Sequence, residues 1–252
     1  MTKKIRNIVC CCLMLFPFVA IGQRTLDYNP SDFQKGGVFY GFDPSQELVE
    51  KRSEKAKHFR NADGSITAVS LADRAAHYKD ANGIYKSITE DIVPYARHGY
   101  GFANTTNTFQ TYYATTARGG MLTDIEGFQI REGERKQVVC FDAYGEQLSA
   151  VKIADVQGSV VNNKITYANA FAATDLRYTQ QAMGVKMDYI IQNRDFVSNI
   201  PTNATYVAFA ETVQLPEGVE LQLSKNNKGE IRGITVVNKY TQTSLYDYET
   251  PY

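Results

Sequence analysis

Three histidines, His58, His77 and His98, are the side chains most readily recruited to metal or acid–base chemistry. They are scattered through the first hundred residues, without an HxH, an HExxH or a nearby cysteine. A zinc centre needs three or four ligands, two of them usually close in sequence, so these imidazoles read as separate surface or half-buried groups. The acids offer more. Asp124/Glu126 and Glu132/Glu134 are pairs two residues apart. Alternate residues of a strand share a face, so each pair could place two carboxyls together, as glycoside hydrolysis requires. Exposed hairpins carry such acids just as readily. No GxSxG, phosphate-binding P-loop or GxGxxG is present, and no DxDxDG calcium loop. No catalytic, cofactor-binding or metal-binding residue is assigned, and no cofactor is expected.

The aromatic residues suggest binding instead of catalysis. There are 17 tyrosines and no tryptophan. Tyr112, Tyr113, Tyr246 and Tyr248 are the expected exposed aromatics, and a sugar ring could stack on them. Tyrosines in strands also pack into cores and rims, which is the plainer reading. Asn104-Thr-Thr and Asn203-Ala-Thr fit a glycosylation sequon, a pattern short enough to arise by chance.

These residues must be positioned by strands. The stretch 164–193, KITYANAFAATDLRYTQQAMGVKMDYIIQN, dominates the chain. From Val185 the odd positions Val185, Met187, Tyr189 and Ile191 are apolar, with Lys186 and Asp188 between them, which predicts one inward and one outward face. Leu176 and Tyr178 alternate likewise with Arg177 and Thr179. QQAMG joins the two runs, and Gly184 suits a hairpin that needs a positive φ. Phe171 is expected to plug the core. Elsewhere, Asn61-Ala62-Asp63-Gly64 and Asp80-Ala81-Asn82-Gly83 predict tight hairpins around ITAVS, AAHYK and IYKSI. TFQTYYA, Lys136–Phe141, Tyr206–Leu215, Val219–Ser224, Ile231–Val237 and Tyr240–Tyr246 add further strands. This rhythm predicts an all-β fold, an antiparallel β-sandwich or two stacked β-sheet layers built from hairpins. A βαβ alternation is missing, which argues against a doubly wound nucleotide-binding fold. A single helix is expected over Ser45–Phe59, with Ser45 as N-cap, early acids and late bases, although its apolar face is thin enough for a linker.

The first 22 residues differ in kind. Lys3, Lys4 and Arg6 precede an apolar run, and Ala20-Ile21-Gly22 offers small residues for a signal peptidase, so cleavage is expected before Gln23. The run, broken by Pro17, is shorter than the ~20 residues a membrane span needs, which disfavours a retained anchor. Cys10, Cys11 and Cys12 read as apolar leader residues because none has the small residue before it that lipid attachment requires. Cys140 then remains as a lone thiol, read as a small buried hydrophobe. Removing Lys3, Lys4 and Arg6 leaves 24 basic against 27 acidic residues. The slight negative balance, without a basic run, argues against nucleic acid and anionic membrane surfaces. The expected organisation is a leader at 1–22, an extended lead segment and short helix or linker at 23–58, and a β-sandwich region at 59–252. That region has room for two subdomains meeting near 145–163. Because the chain stops at ETPY directly after a strand, it is expected to be the N-terminal part of a longer product.

FRNADGSITAVSLADRAAHYKDANGIYKSI (59–88) resembles a segment near the start of large secreted bacterial Rhs/YD-repeat and cell-wall-associated proteins. That segment has the form F-x-N-x-DGS-x-T followed by HYKD-x-NG-x-W. Residues 164–193 resemble their I-x-Y-x-NVFP-x-TDL-x-Y strand pair, and VQLPEGVELQLSKNNKGEI (213–231) is similar to the strand-turn-strand that follows. The leader resembles those of Bacteroidetes secreted proteins. Three positions depart from the pattern: Tyr85 replaces a tryptophan, Met187 an acid and Ala172 a proline. The resemblance implies an all-β module of a surface giant, with any enzyme or toxin located elsewhere in the parent polypeptide.

The leading expectation is therefore a non-catalytic extracellular structural or adhesion module, exported or held at the cell surface. Its partners would be the rest of its parent polypeptide, cell-surface components or a glycan. The alternatives are a carbohydrate-binding sandwich and a secreted glycan-active enzyme.

Overall fold

A computed structural model describes residues 8–13, 44–97 and 99–248, and for 8–13 the backbone alone. The aromatic lead segment 23–43, His98 and the final ETPY lie outside or largely outside these residues. Ile8–Leu13 (β1) is a strand. The remainder divides into two compact units between Thr89 and Glu90; the sequence reading set a boundary at 58/59 and left room for a second near 145–163.

Among the described residues the smaller unit holds two hairpins. Ala56–Arg60 (β2) pairs with Ile66–Ser70 (β3), and His77–Lys79 (β4) with Tyr85–Ser87 (β5). Gly64 and Gly83 adopt φ of 85° and 75°, the left-handed geometry that the Asp-Gly and Asn-Gly turns call for. The helix expected over Ser45–Phe59 does not form. Pro44–Gln46 and Val49–Lys51 are single 3₁₀ turns, and the chain is already in β2 by Ala56. With so few apolar residues, a helix there has little face to bury. The segment instead extends to bridge Glu47 with Phe59.

The larger unit contains fifteen further strands: Val93–Arg97 (β6), Tyr100–Asn104 (β7), Gln110–Ala114 (β8), Met121–Ile125 (β9), Phe128–Glu132 (β10), Gln137–Phe141 (β11), Gln147–Lys152 (β12), Gly158–Val161 (β13), Lys164–Phe171 (β14), Thr174–Gln181 (β15), Gly184–Ile191 (β16), Tyr206–Gln214 (β17), Val219–Lys225 (β18), Ile231–Asn238 (β19) and Ser244–Tyr248 (β20). One short helix, Asp195–Ser198 (α1), follows β16. All sheets are antiparallel, as expected. β6 to β12 and β17, with β1 at β17, make one large sheet; β13–β16 and β18–β20 make two smaller ones. β17 is the hub. Val207–Ala210 pairs with β11 on one edge and with β1 on the other, while Val213 and Gln214 pair with β10. Among the described residues no helix is long and apolar enough to cross a membrane.

Both smaller sheets pack on the same face of the large one. Tyr113, Met121, Val138 and Phe209 from the large sheet meet Ile165, Tyr167, Phe171, Leu176 and Tyr178 from β14 and β15 in one core. Val138, Ile153 and Ile165 belong to that single core, so the strands flanking 145–163 are packed together. Ile130 and Val213 meet Val219, Val236 and Leu245 in a second core under β18–β20. Phe171 plugs the first core as expected. Gly184 does not take a positive φ. The β15–β16 turn is Ala182-Met183, and Gly184 already pairs with Gln181 as the first residue of β16. Met187 and Ile191 stay 36% and 43% exposed because β16 is the outermost strand of its sheet.

Candidate functional site

β10 turns Ile130 and Glu132 inward, onto the face that the smaller sheets cover. Gly133, at φ 72°, ends the alternation, and its N–H donates to Thr212 O at 3.0 Å. Glu134 and Arg135 swing out to solvent before Lys136 turns back in, 1% exposed. On β17 the inward positions are Val207, Phe209, Glu211 and Val213, so Glu211 is the one acid in an apolar row. Lys136 Nζ forms an ion pair with Glu211 Oε2, lies 3.4 Å from Met187 Sδ and stands 5.6 Å from the centre of the Tyr178 ring. Glu132 Oε1 accepts hydrogen bonds from Tyr246 Oη at 2.5 Å and from Tyr248 Oη, and the two phenol oxygens lie 2.8 Å apart.

Two carboxyls, one amine and three phenols thus meet where the two cores adjoin, and the electrostatics follow from enclosure. Burial, reinforced by the Glu211 charge, raises the Glu132 pKa and favours its protonated form. Burial alone would lower Lys136, but the Glu211 carboxylate overcomes it, and the amine is raised and charged. Burial also pushes the Tyr246, Tyr248 and Tyr178 phenols up, so all three stay neutral. The Tyr178 hydroxyl is buried without a protein hydrogen-bond partner. An ion pair and a carboxyl whose protonated form is favoured by burial thus lie side by side. They link β10 and β17 to β15 and β16 on one side and to β20 on the other.

Tyr246 and Tyr248, expected as exposed sugar-stacking residues, are therefore half-buried with both hydroxyls committed to Glu132. Tyr113 is fully buried and donates to Gln180 Oε1 at 2.8 Å. Adjacent strand residues point to opposite faces, so Tyr112 and Tyr113 cannot both be exposed. Tyr112 takes the outer face, half-buried, its ring 5.0 Å from Tyr95 and 5.9 Å from Tyr100. The two carboxylate pairs also separate. Glu126 lies in a turn at φ 52°, and Glu134 is turned out beyond Gly133, where it accepts from Gln214 Nε2. His77 is wholly buried, not exposed or half-buried as the sequence suggested, with Nδ1 donating to Ser53 O at 2.7 Å. Cys140 is buried on β11. Among the described residues no group of three or more His, Cys, Asp or Glu could hold a metal ion.

Sequence reasoning noticed Glu132 for the wrong partner and missed Lys136 and Glu211. Glu211 had a readable signal, an acid in register with Val207, Phe209 and Val213. Lys136 had none, because a two-residue excursion after Gly133 decides which way it points. No known protein family, curated protein or solved structure matches the chain.

Proposed function

We propose that residues 90–248 form a structural and adhesive module of an exported bacterial surface protein of the Rhs/YD-repeat kind. The observation that carries this reading is the use made of the buried ionisable groups. Glu132, Lys136, Glu211 and their tyrosines are spent fastening three sheets to one another. Lys136 pairs with Glu211 and contacts Met187 Sδ, and Glu132 accepts from Tyr246 and Tyr248, so a charged or hydrogen-bonded contact reaches each sheet although the Tyr178 hydroxyl makes none. Such investment suits a body that must hold its shape outside the cell without disulfides. On intact cells carrying the protein, externally added protease should release fragments from residues 90–248, and deleting that segment should weaken attachment of the cells to surfaces. Recovery of the protein solely from the cytosol, or undiminished attachment without the segment, would sink the proposal.

A second reading, glycan binding, is favoured by one surface. Tyr95 and Tyr112 lie half-exposed beside Gln110, Asp124 and Gln129 on the outer face of β6–β10, an aromatic platform with polar neighbours. On a glycan array the full chain should then show saturable binding that Tyr112→Ala and Tyr95→Ala abolish. Silence across the array would remove this reading.

A further inference from the structure

We propose that Lys136 and Glu211 condense after folding into an isopeptide bond, a covalent cross-link between the segment preceding β11 and β17, with Glu132 as the neighbouring acid that relays the proton. The proposal goes beyond the adhesive reading and does not depend on it, because the bond would form wherever the chain folds.

The pair stands apart from the other described ion pairs. In Lys186–Asp188 and Lys86–Asp80 the lysine side chain is 57% and 51% exposed, and Arg52–Glu47 offers a guanidinium, which is not an acyl-accepting nucleophile. The Lys136 side chain is 0% exposed and that of Glu211 is 16% exposed, and the two touch. Holding an amine against a carboxyl within a rigid fold supplies the proximity for which effective molarities of roughly 10⁵–10⁸ M are known in well-oriented intramolecular reactions. The approach is built into the backbone. Gly133 has no side chain, and a methyl group there would overlap the Lys136 amine and come within 3.2 Å of Glu211 Oε2. On the remaining sides Tyr178 and Met187 pack against the amine, which is enclosed from solvent.

The step balances without any co-reactant. Within the contact pair a proton passes from the Lys136 ammonium to the Glu211 carboxylate, giving a neutral amine and a neutral acid. The usual objection, that an ammonium cannot attack, weakens here because enclosure penalises two charges more than two neutral groups. The Nζ lone pair then attacks Glu211 Cδ, forming the C–N bond. Glu132 donates its proton to the departing hydroxyl, the C–O bond breaks, and water leaves. Glu132 recovers a proton from the new amide nitrogen, so the net change is one water lost. Tyr246 and Tyr248 occupy Glu132 Oε1, which leaves Oε2 to carry the proton. The product replaces a buried ion pair with a neutral amide.

The experiment is mass spectrometry on the purified full chain, first denatured and then digested. The expected result is a branched peptide that joins the Lys136-containing and Glu211-containing segments and is lighter by one water than their sum. Lys136→Arg, which keeps the cation but cannot form this amide, should yield the two segments separately while circular dichroism still reports a folded β protein. Glu132→Gln should keep the fold and lower the fraction of branched peptide. Recovering the two segments unlinked from the folded wild-type chain would overturn the proposal. So would a branched peptide that persists in Lys136→Arg, since the linkage would then lie elsewhere.

Discussion

At the scale of single residues, Glu132 depends on the two phenols that bond to it. Replacing Tyr246 or Tyr248 with phenylalanine keeps the ring packing and removes one donor to a buried carboxyl, so each change should cost about 1–2 kcal/mol. Urea unfolding of the two single variants and the double variant measures this. Because both phenols share Oε1 and their oxygens lie 2.8 Å apart, the double variant should lose less than the sum of the singles. His77 makes a pH prediction. Its Nδ1–H is held by Ser53 O, while its bare Nε2 faces Glu47 Oε1 at 3.8 Å, with Arg52 and Lys57 also contributing charge nearby. Burial lowers its pKa below the ordinary imidazole value, so the unfolded chain takes up this proton before the folded one does. The stabilisation is therefore complete above the ordinary imidazole range and is lost as pH falls through the lowered value. An NMR titration should place the His77 midpoint below that of a free imidazole; a midpoint at or above it would contradict the burial argument.

At the scale of elements, hairpins were legible and the direction of individual side chains was less so. Residues 164–193 became β14–β16 with Ile165, Tyr167, Leu176 and Tyr178 inward, because a period of two over eight residues leaves one way to bury an apolar face. The helix over Ser45–Phe59 was misread because propensity and capping carry little weight without an apolar stripe. Tyr113 is buried where exposure was expected, because Tyr112 beside it takes the outer face of β8. The element that pins the sandwich is invisible from one strand alone: Gln180 of β15 is fully buried and accepts from Thr111 Oγ1 at 2.6 Å and Tyr113 Oη at 2.8 Å, both on β8 of the opposite sheet. Gln180→Ala strands two buried hydroxyls and leaves a void. It should cost about 2–4 kcal/mol, and thermal or urea unfolding would check this. Gln180→Glu should be worse above the carboxylate range, because it places an uncompensated charge between two sheets.

At the scale of the whole molecule, β17 organises what the sequence could not order. Composition and turn spacing implied stacked sheets, and the larger unit is one large sheet carrying two smaller ones on one face. Which strands meet depends on long-range pairing, such as β11 with β17 across the entire β12–β16 excursion, and no local pattern encodes that. The same pairing brings Lys136 and Glu211 together, 75 positions apart in the chain. A covalent link there closes a long loop. By the chain-entropy argument used for disulfides, it would remove about 4 kcal/mol of denatured-state freedom. Lys136→Arg retains the cation and forgoes the bond, so its difference from the wild type reports mainly the bond. Wild type should melt roughly 10 °C higher in Tm than Lys136→Arg. Its urea m-value should also be smaller, because a looped denatured chain exposes less surface. Equal midpoints and equal m-values would mean that the pair is held by charge alone and that β17 is fastened without a covalent bond.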